Sequence, residues 1–134
     1  MIEKYRHKGL NTLYYLKAAS SNIYLLDFKQ QSFMKERLKS QVILPSSFSS
    51  VQTENGRIYV VGGIHFDKAQ KTTLRIDTDL SMAEVASMRQ ARFSAPVTLL
   101  RDNFILVAGG LTMPNNRSRA TTLVEFLDLK TMQW

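Results

Sequence analysis

Gly56-Arg57-Ile58-Tyr59-Val60-Val61-Gly62-Gly63 and Asn103-Phe104-Ile105-Leu106-Val107-Ala108-Gly109-Gly110 are two versions of one phrase, an apolar run closed by a glycine doublet. They lie 47 residues apart. A period of that size marks a repeat array, a β-propeller among them. Glycines at a strand end adopt backbone angles closed to other residues and let a neighbouring strand come close. Such arrays present binding surfaces more often than catalytic centres.

A second mark keeps nearly the same period. Asp27 and Asp128 are each followed six positions later by an aromatic, Phe33 and Trp134, and Asp79 keeps the spacing with Val85 in the aromatic's place. The aspartates are 52 and 49 residues apart. An aspartate after a strand can bond the turn amides ahead of it, and the aromatic supplies area to bury against the next sheet. One such sheet cannot cover its own faces, so neighbouring copies must.

The chain therefore reads as one all-β domain of three unequal units: 1–40, degenerate; 41–88, complete; and 89–134, truncated at its last strand. Strands are expected at Leu13–Lys17, Asn22–Leu26 and Ser32–Leu38; at Phe48–Thr53, Arg57–Val61, Thr73–Asp77 and Glu84–Met88; and at Phe93–Leu100, Asn103–Ala108 and Leu123–Leu127. Glu54-Asn55-Gly56 signals a hairpin, and Arg101-Asp102-Asn103 holds the equivalent place. Ile64–Lys71 and Leu111–Ala120 read as polar loops after the glycine doublets.

Composition narrows the function classes. The 134 residues are 44% hydrophobic and 22% charged, as in a folded globular chain. No apolar run reaches membrane-spanning length, and the charged start Met1–Lys8 does not resemble a secretory leader. There is no cysteine, which removes disulfides and thiolate chemistry. A cytoplasmic location is the default expectation. The net charge of +7 is concentrated in residues 1–40, which carry eight Lys/Arg against three acids. Those charges are scattered, as on a solvated basic surface.

Specific chemistries find little footing. Neither glycine doublet is followed by the third glycine of a dinucleotide loop. His7 and His65 are the only histidines. His65 with Asp67 falls short of the three protein ligands of a catalytic zinc site. No nucleophile elbow is present, and Ser46, Ser47, Ser49 and Ser50 read as a loop or strand edge. Asp77 and Asp79 alternate on an extended chain and would share a side, but Asp79 is committed to the repeat. Lys35, Arg37 and Lys39 would share a strand face able to meet phosphates, as would Arg117 and Arg119. Tyr14, Tyr15, Tyr24 and Phe33 are more simply core than base-stacking residues. No cofactor and no metal is expected.

The glycine phrases, the ending Val124-Glu125-Phe126-Leu127-Asp128-Leu129-Lys130-Thr131-Met132-Gln133-Trp134 and the segment Met88-Arg89-Gln90-Ala91-Arg92-Phe93 resemble kelch repeats over about Leu13 to Trp134, with Arg92 in the usual arginine place. The departures are Lys17-Ala18 for the first glycine pair, Leu44-Pro45-Ser46-Ser47 for the second arginine segment, and Val85 for a tryptophan. The resemblance implies part of a propeller whose ring three units do not close. It also implies a non-enzymatic module that binds another protein through loops on one face, in which His65, Asp67, Lys68, Asn115, Asn116, Arg117 and Arg119 carry the contact. Gly62, Gly63, Gly109, Gly110, Asp27, Asp79, Asp128 and Trp134 are its structural marks. Related proteins capture ubiquitin-ligase substrates or attach to cytoskeletal filaments; the copper site of some kelch enzymes needs a cysteine that is absent here. The remaining blades, or further copies of the chain, would complete the ring. The alternatives are a propeller-scaffold enzyme acting on sugars with its active groups in the missing blades, and a basic nucleic-acid-binding surface.

Overall fold

The computed structural model describes residues 12–134, so the expectation for His7 lies outside the described residues. In chain order the strands are β1 (Thr12–Leu16), β2 (Asn22–Asp27), β3 (Ser32–Arg37), β4 (Ser49–Gln52), β5 (Ile58–Val61), β6 (Ile64–His65), β7 (Lys68–Ala69), β8 (Thr73–Ile76), β9 (Met82–Glu84), β10 (Val97–Leu100), β11 (Phe104–Ala108), β12 (Leu111–Thr112), β13 (Arg119–Ala120) and β14 (Val124–Asp128). All their pairings are antiparallel, and no α-helix occurs among the described residues. Three sheets follow one another, ordered β1-β2-β3, β4-β5-β8-β9 and β10-β11-β14, with two-stranded ribbons β6-β7 and β12-β13 growing from the second and third.

Alternation along β5 explains why the middle sheet exists. Ile58 and Val60 join Leu74 and Ile76 in a core shared with Ile23 of the first sheet, packed by Tyr14, Leu16 and Leu25. Tyr59 and Val61 point the other way, into a core shared with Ile105, Val107 and Leu127 of the third sheet. All four β5 residues are buried. A strand covered on both faces reads as a continuous apolar run, and each fully buried aliphatic side chain contributes roughly 1.5–3 kcal/mol. The middle sheet is the filling of a three-layer stack, and each flanking sheet covers one of its faces.

The aspartates close hairpins, with a division of labour the even spacing concealed. Asp27 accepts the amides of Lys29 and Gln30 at 2.8 and 3.0 Å, and Asp128 accepts those of Lys130 and Thr131 at 2.8 and 3.3 Å. In register, the residue at their place in the middle sheet is Asp77: its amide bonds Ser81 O, one residue sooner than the Asp27–Ser32 and Asp128–Gln133 pairings. In that shorter turn the capping passes to Asp79, which accepts the hydroxyl and amide of Ser81 at 2.6 and 3.0 Å. Those two bonds, with Lys39 nearby, hold the Asp79 carboxyl below its ordinary range.

Two strand expectations shift for local reasons. The outer strand of the middle sheet is Met82–Glu84 rather than Glu84–Met88, because the short turn starts pairing at Met82. The chain then departs, and Met88 is buried in the second core. The expected strand Phe93–Leu100 is confined to Val97–Leu100. Ser94 turns to φ 49° and Pro96 has no amide to donate, while Phe93 makes an isolated bridge to Leu111.

Candidate interaction surface

The expected polar loops after the glycine doublets are ordered ribbons. In β6-β7 the pair His65–Lys68 is closed by Phe66 and Asp67, both left-handed at φ 47° and 57°. A two-residue turn with both residues in that region matches the twist of a hairpin and ordinarily selects Asn-Gly or Gly-Gly. Phenylalanine there is a conformational outlier. It is also 85% exposed, and its ring stands in a T-shaped pair with His65, centroids 4.3 Å apart. A bulky apolar side chain thus faces water at the ribbon tip in a backbone conformation it disfavours.

Phe66 borders a groove of about 390 Å³ whose walls include Val42, Ile43, Pro45, His65 and Gln70. Val42 and Ile43 are exposed apolar residues on the segment joining the first and second sheets. Next to the groove, Ser46 and Ile64 exchange backbone hydrogen bonds at 2.9 and 2.7 Å, and the Gln70 amide group donates to Lys68 O at 2.9 Å.

The β12-β13 ribbon leaves its sheet at the equivalent point but has a longer tip, a 3-10 turn at Pro114–Asn116 with Asn115 and Asn116 at φ 51° and 59°. Asn115, Asn116, Arg117 and Arg119 are all exposed there. The ribbons thus gather the expected contact residues into two tips of different chemistry. Asp67 and Lys68 accompany an aromatic at one, and arginines dominate the other. The polarity of the loops does not point to Phe66, Val42 and Ile43, which are apolar. The signal for Phe66 was present as an aromatic standing where a hairpin tip calls for a turn residue.

One joint fixes the ribbons against the sheets. The Arg92 backbone ties to the middle sheet's ribbon, its amide donating to Gln70 O and its carbonyl accepting from Gly63, both at 2.9 Å. Its side chain, 1% exposed, turns the other way. It donates to Gly109 O at 3.0 Å and Leu123 O at 2.7 Å, and pairs with the Glu125 carboxylate. Glu125 in turn accepts the Arg89 amide at 2.7 Å. Pro45, 47 residues earlier, makes the corresponding backbone contact by accepting the Ala19 amide. Leu74 stands in register where Glu125 does. The middle unit therefore has neither charge of the pair at the corresponding places.

The opposite ends of the same strands offer a polar cleft of about 280 Å³ lined by Thr53, Asn55, Arg57, Tyr59, Asp102 and Lys130. Its charges are mostly committed. Asp77 holds Arg57 at 2.9 Å and Arg75 at 3.0 Å, and Asp102 accepts the Glu54 amide at 2.9 Å. Asp77 and Asp79 have separate partners and do not work as a pair. Burial pushes the Tyr59 hydroxyl above its usual range. Among the described residues no three His, Asp or Glu side chains converge as a metal site, and no helix is long and apolar enough to cross a membrane.

No family model matches the chain. Among curated proteins it is 25% identical, over 103 residues, to an F-box/kelch-repeat protein of Arabidopsis thaliana. The match covers 72% of this chain and 25% of that protein, so the chain spans about a quarter of the length of the curated relative it matches. That distant likeness and the succession of small antiparallel sheets are consistent with kelch repeats in a β-propeller fragment.

Proposed function

We propose that the chain is a segment of a kelch-type propeller, its three sheets corresponding to units 1–40, 41–88 and 89–134, and that it binds another protein without catalysing a reaction. The contact is made by the β6-β7 and β12-β13 ribbons. The observation that carries this reading is Phe66, exposed at a ribbon tip in a backbone conformation that phenylalanine disfavours. Aromatic and arginine side chains are the groups that most often dominate protein interfaces, and the two tips supply one of each kind. His65, Asp67, Lys68, Asn115 and Asn116 form the polar rim of the contact. The kelch-repeat name of the Arabidopsis relative supports a protein partner in general terms.

The test is affinity capture from lysate of the source organism with three baits: the wild type, a Phe66→Ser/Arg119→Glu variant, and Lys130→Glu at the opposite strand end. All three positions are exposed, so the fold tolerates the changes. A discrete protein recovered by the wild type and Lys130→Glu, and reduced at least tenfold with the ribbon variant, is the expected outcome. Equal recovery by all three baits contradicts the reading.

A further inference from the structure

We infer that the groove beside Phe66 takes an arginine side chain presented by the partner protein, with its guanidinium placed as that of Arg92 is placed between the second and third sheets. The inference rests on the ribbons being a protein contact, and it names the chemistry of what they meet.

The groove lies where the first and second sheets join, at the place that Arg92 and Glu125 fill one joint further on. Three correspondences put it there. Pro45 precedes Arg92 by 47 residues. Leu74 holds the register position of Glu125. Thr72 answers to Leu123, because Gly62 donates to Thr72 O at 2.9 Å as Gly109 does to Leu123 O at 3.1 Å. Pro45, Thr72 and Leu74 all line the groove of about 390 Å³. Where the third unit sets a guanidinium against a carboxylate, the middle unit sets a proline ring and a leucine, and the remaining space is the groove. The middle unit brings no cation of its own to this joint: Val42, Ile43 and Pro45 stand where Arg89, Gln90 and Arg92 do.

The acceptors that Arg92 uses have counterparts here. In the third unit one guanidinium nitrogen donates to Gly109 O at 3.0 Å and to Leu123 O at 2.7 Å. Their equivalents in the middle unit, Gly62 O and Thr72 O, receive no side-chain donor among the described residues, and Gly62 is buried. A carbonyl oxygen has two lone pairs, and leaving them unmet in a buried place is unfavourable. A negative charge stands beside them. Glu84 lines the groove, is in register with Leu74, and forms no ion pair among the described residues. Carbonyls with a carboxylate are an acceptor-only set, and the five donors of a guanidinium, fixed in one plane, match it. The rest of an arginine side chain is suited as well. Val42 and Ile43 are half-exposed and Phe66 borders the groove, so the aliphatic stem has apolar surface to lie on and the guanidinium an aromatic face to stack on.

The probe is the blocked tripeptide leucyl-arginyl-leucine amide, titrated against the full chain and followed by proton–nitrogen correlation spectra. The amide signals of Ile43, Thr72 and Glu84 should move together. Replacing the arginine by citrulline, which keeps the shape and removes the charge, should weaken binding about tenfold, as should Glu84→Gln, the loss expected for a charge-assisted hydrogen bond. Glu84 is exposed, so the variant keeps the fold. Pro45→Arg/Leu74→Glu rebuilds the pair within the chain and should abolish binding. Equal affinity for the arginine and citrulline peptides, shifts confined to other surfaces, or a Glu84→Gln chain that binds like the wild type overturns the inference. Lysate capture separates this failure from failure of the ribbon reading. A partner lost with Phe66→Ser/Arg119→Glu but retained by Glu84→Gln leaves the ribbons as the contact and overturns the arginine site. A partner lost with both supports the two together.

Discussion

Arg92→Leu should lower the unfolding free energy by about 3–5 kcal/mol, the usual cost of removing one partner of a buried ion pair. The change leaves the Glu125 carboxylate buried without its cation and takes the donor from Gly109 O and Leu123 O. Folded domains hold only about 5–15 kcal/mol in reserve, so the loss should appear as a large fall in the urea midpoint. Adding Glu125→Leu should restore part of it. The middle unit combines Pro45 with Leu74 at the corresponding places and packs them without charge, and buried pairs can be exchanged for apolar residues at little net cost when both charges go together. A double variant no more stable than Arg92→Leu would show that the carbonyls, not the orphaned carboxylate, set the loss.

The glycine doublets should respond unequally to the same substitution. Gly62 and Gly109 have nearly the same backbone, φ +63° and +64°. Alanine in that region costs about 1–2 kcal/mol in either. Their surroundings differ. A Cβ on Gly62 would stand 2.3 Å from the carbonyl oxygen of Arg92, whereas one on Gly109 would meet nothing nearer than Thr121 O at 3.4 Å. The obstacle at Gly62 is backbone, held by the joint between sheets, and overpacking adds about 1–3 kcal/mol. Gly62→Ala should therefore cost about 2–5 kcal/mol and Gly109→Ala about 1–2 kcal/mol, read from paired urea titrations. Equal losses would mean that only the left-handed conformation matters and that the close approach does not.

What the sequence made legible follows from which physical rules act locally. The strands flanking the glycine doublets could be located because an apolar run closed by glycine constrains its own backbone. The hairpin at Leu100–Asn103 was likewise local: Arg101 and Asp102 are both left-handed, at φ 49° and 56°. The boundary at Met82 was not visible, because it depends on a turn one residue shorter than its counterparts. Equal spacing drew attention to Asp79, while register puts Asp77 in the place of Asp27 and Asp128. The Arg92–Glu125 joint joins residues 33 apart; the arginine could be recognised by its place in the repeat, but its partner could not. The candidate surface was half legible. Polar residues of the ribbons stood out by composition, whereas Phe66 acquires its meaning from a backbone angle and an exposure that only coordinates supply.

The proposed surface requires successive sheets to lean on one another, and the single tryptophan reports that contact directly. The Trp134 indole N–H donates to Thr73 Oγ1 at 3.2 Å, across 61 residues of sequence, and lies 3.4 Å from Ala86 O. In a proton NOE spectrum that one indole resonance should show cross-peaks to Thr73 and Ala86. An indole signal at its random-coil position, with contacts only to its sequence neighbours, would contradict the stacked arrangement on which the proposed surface is built.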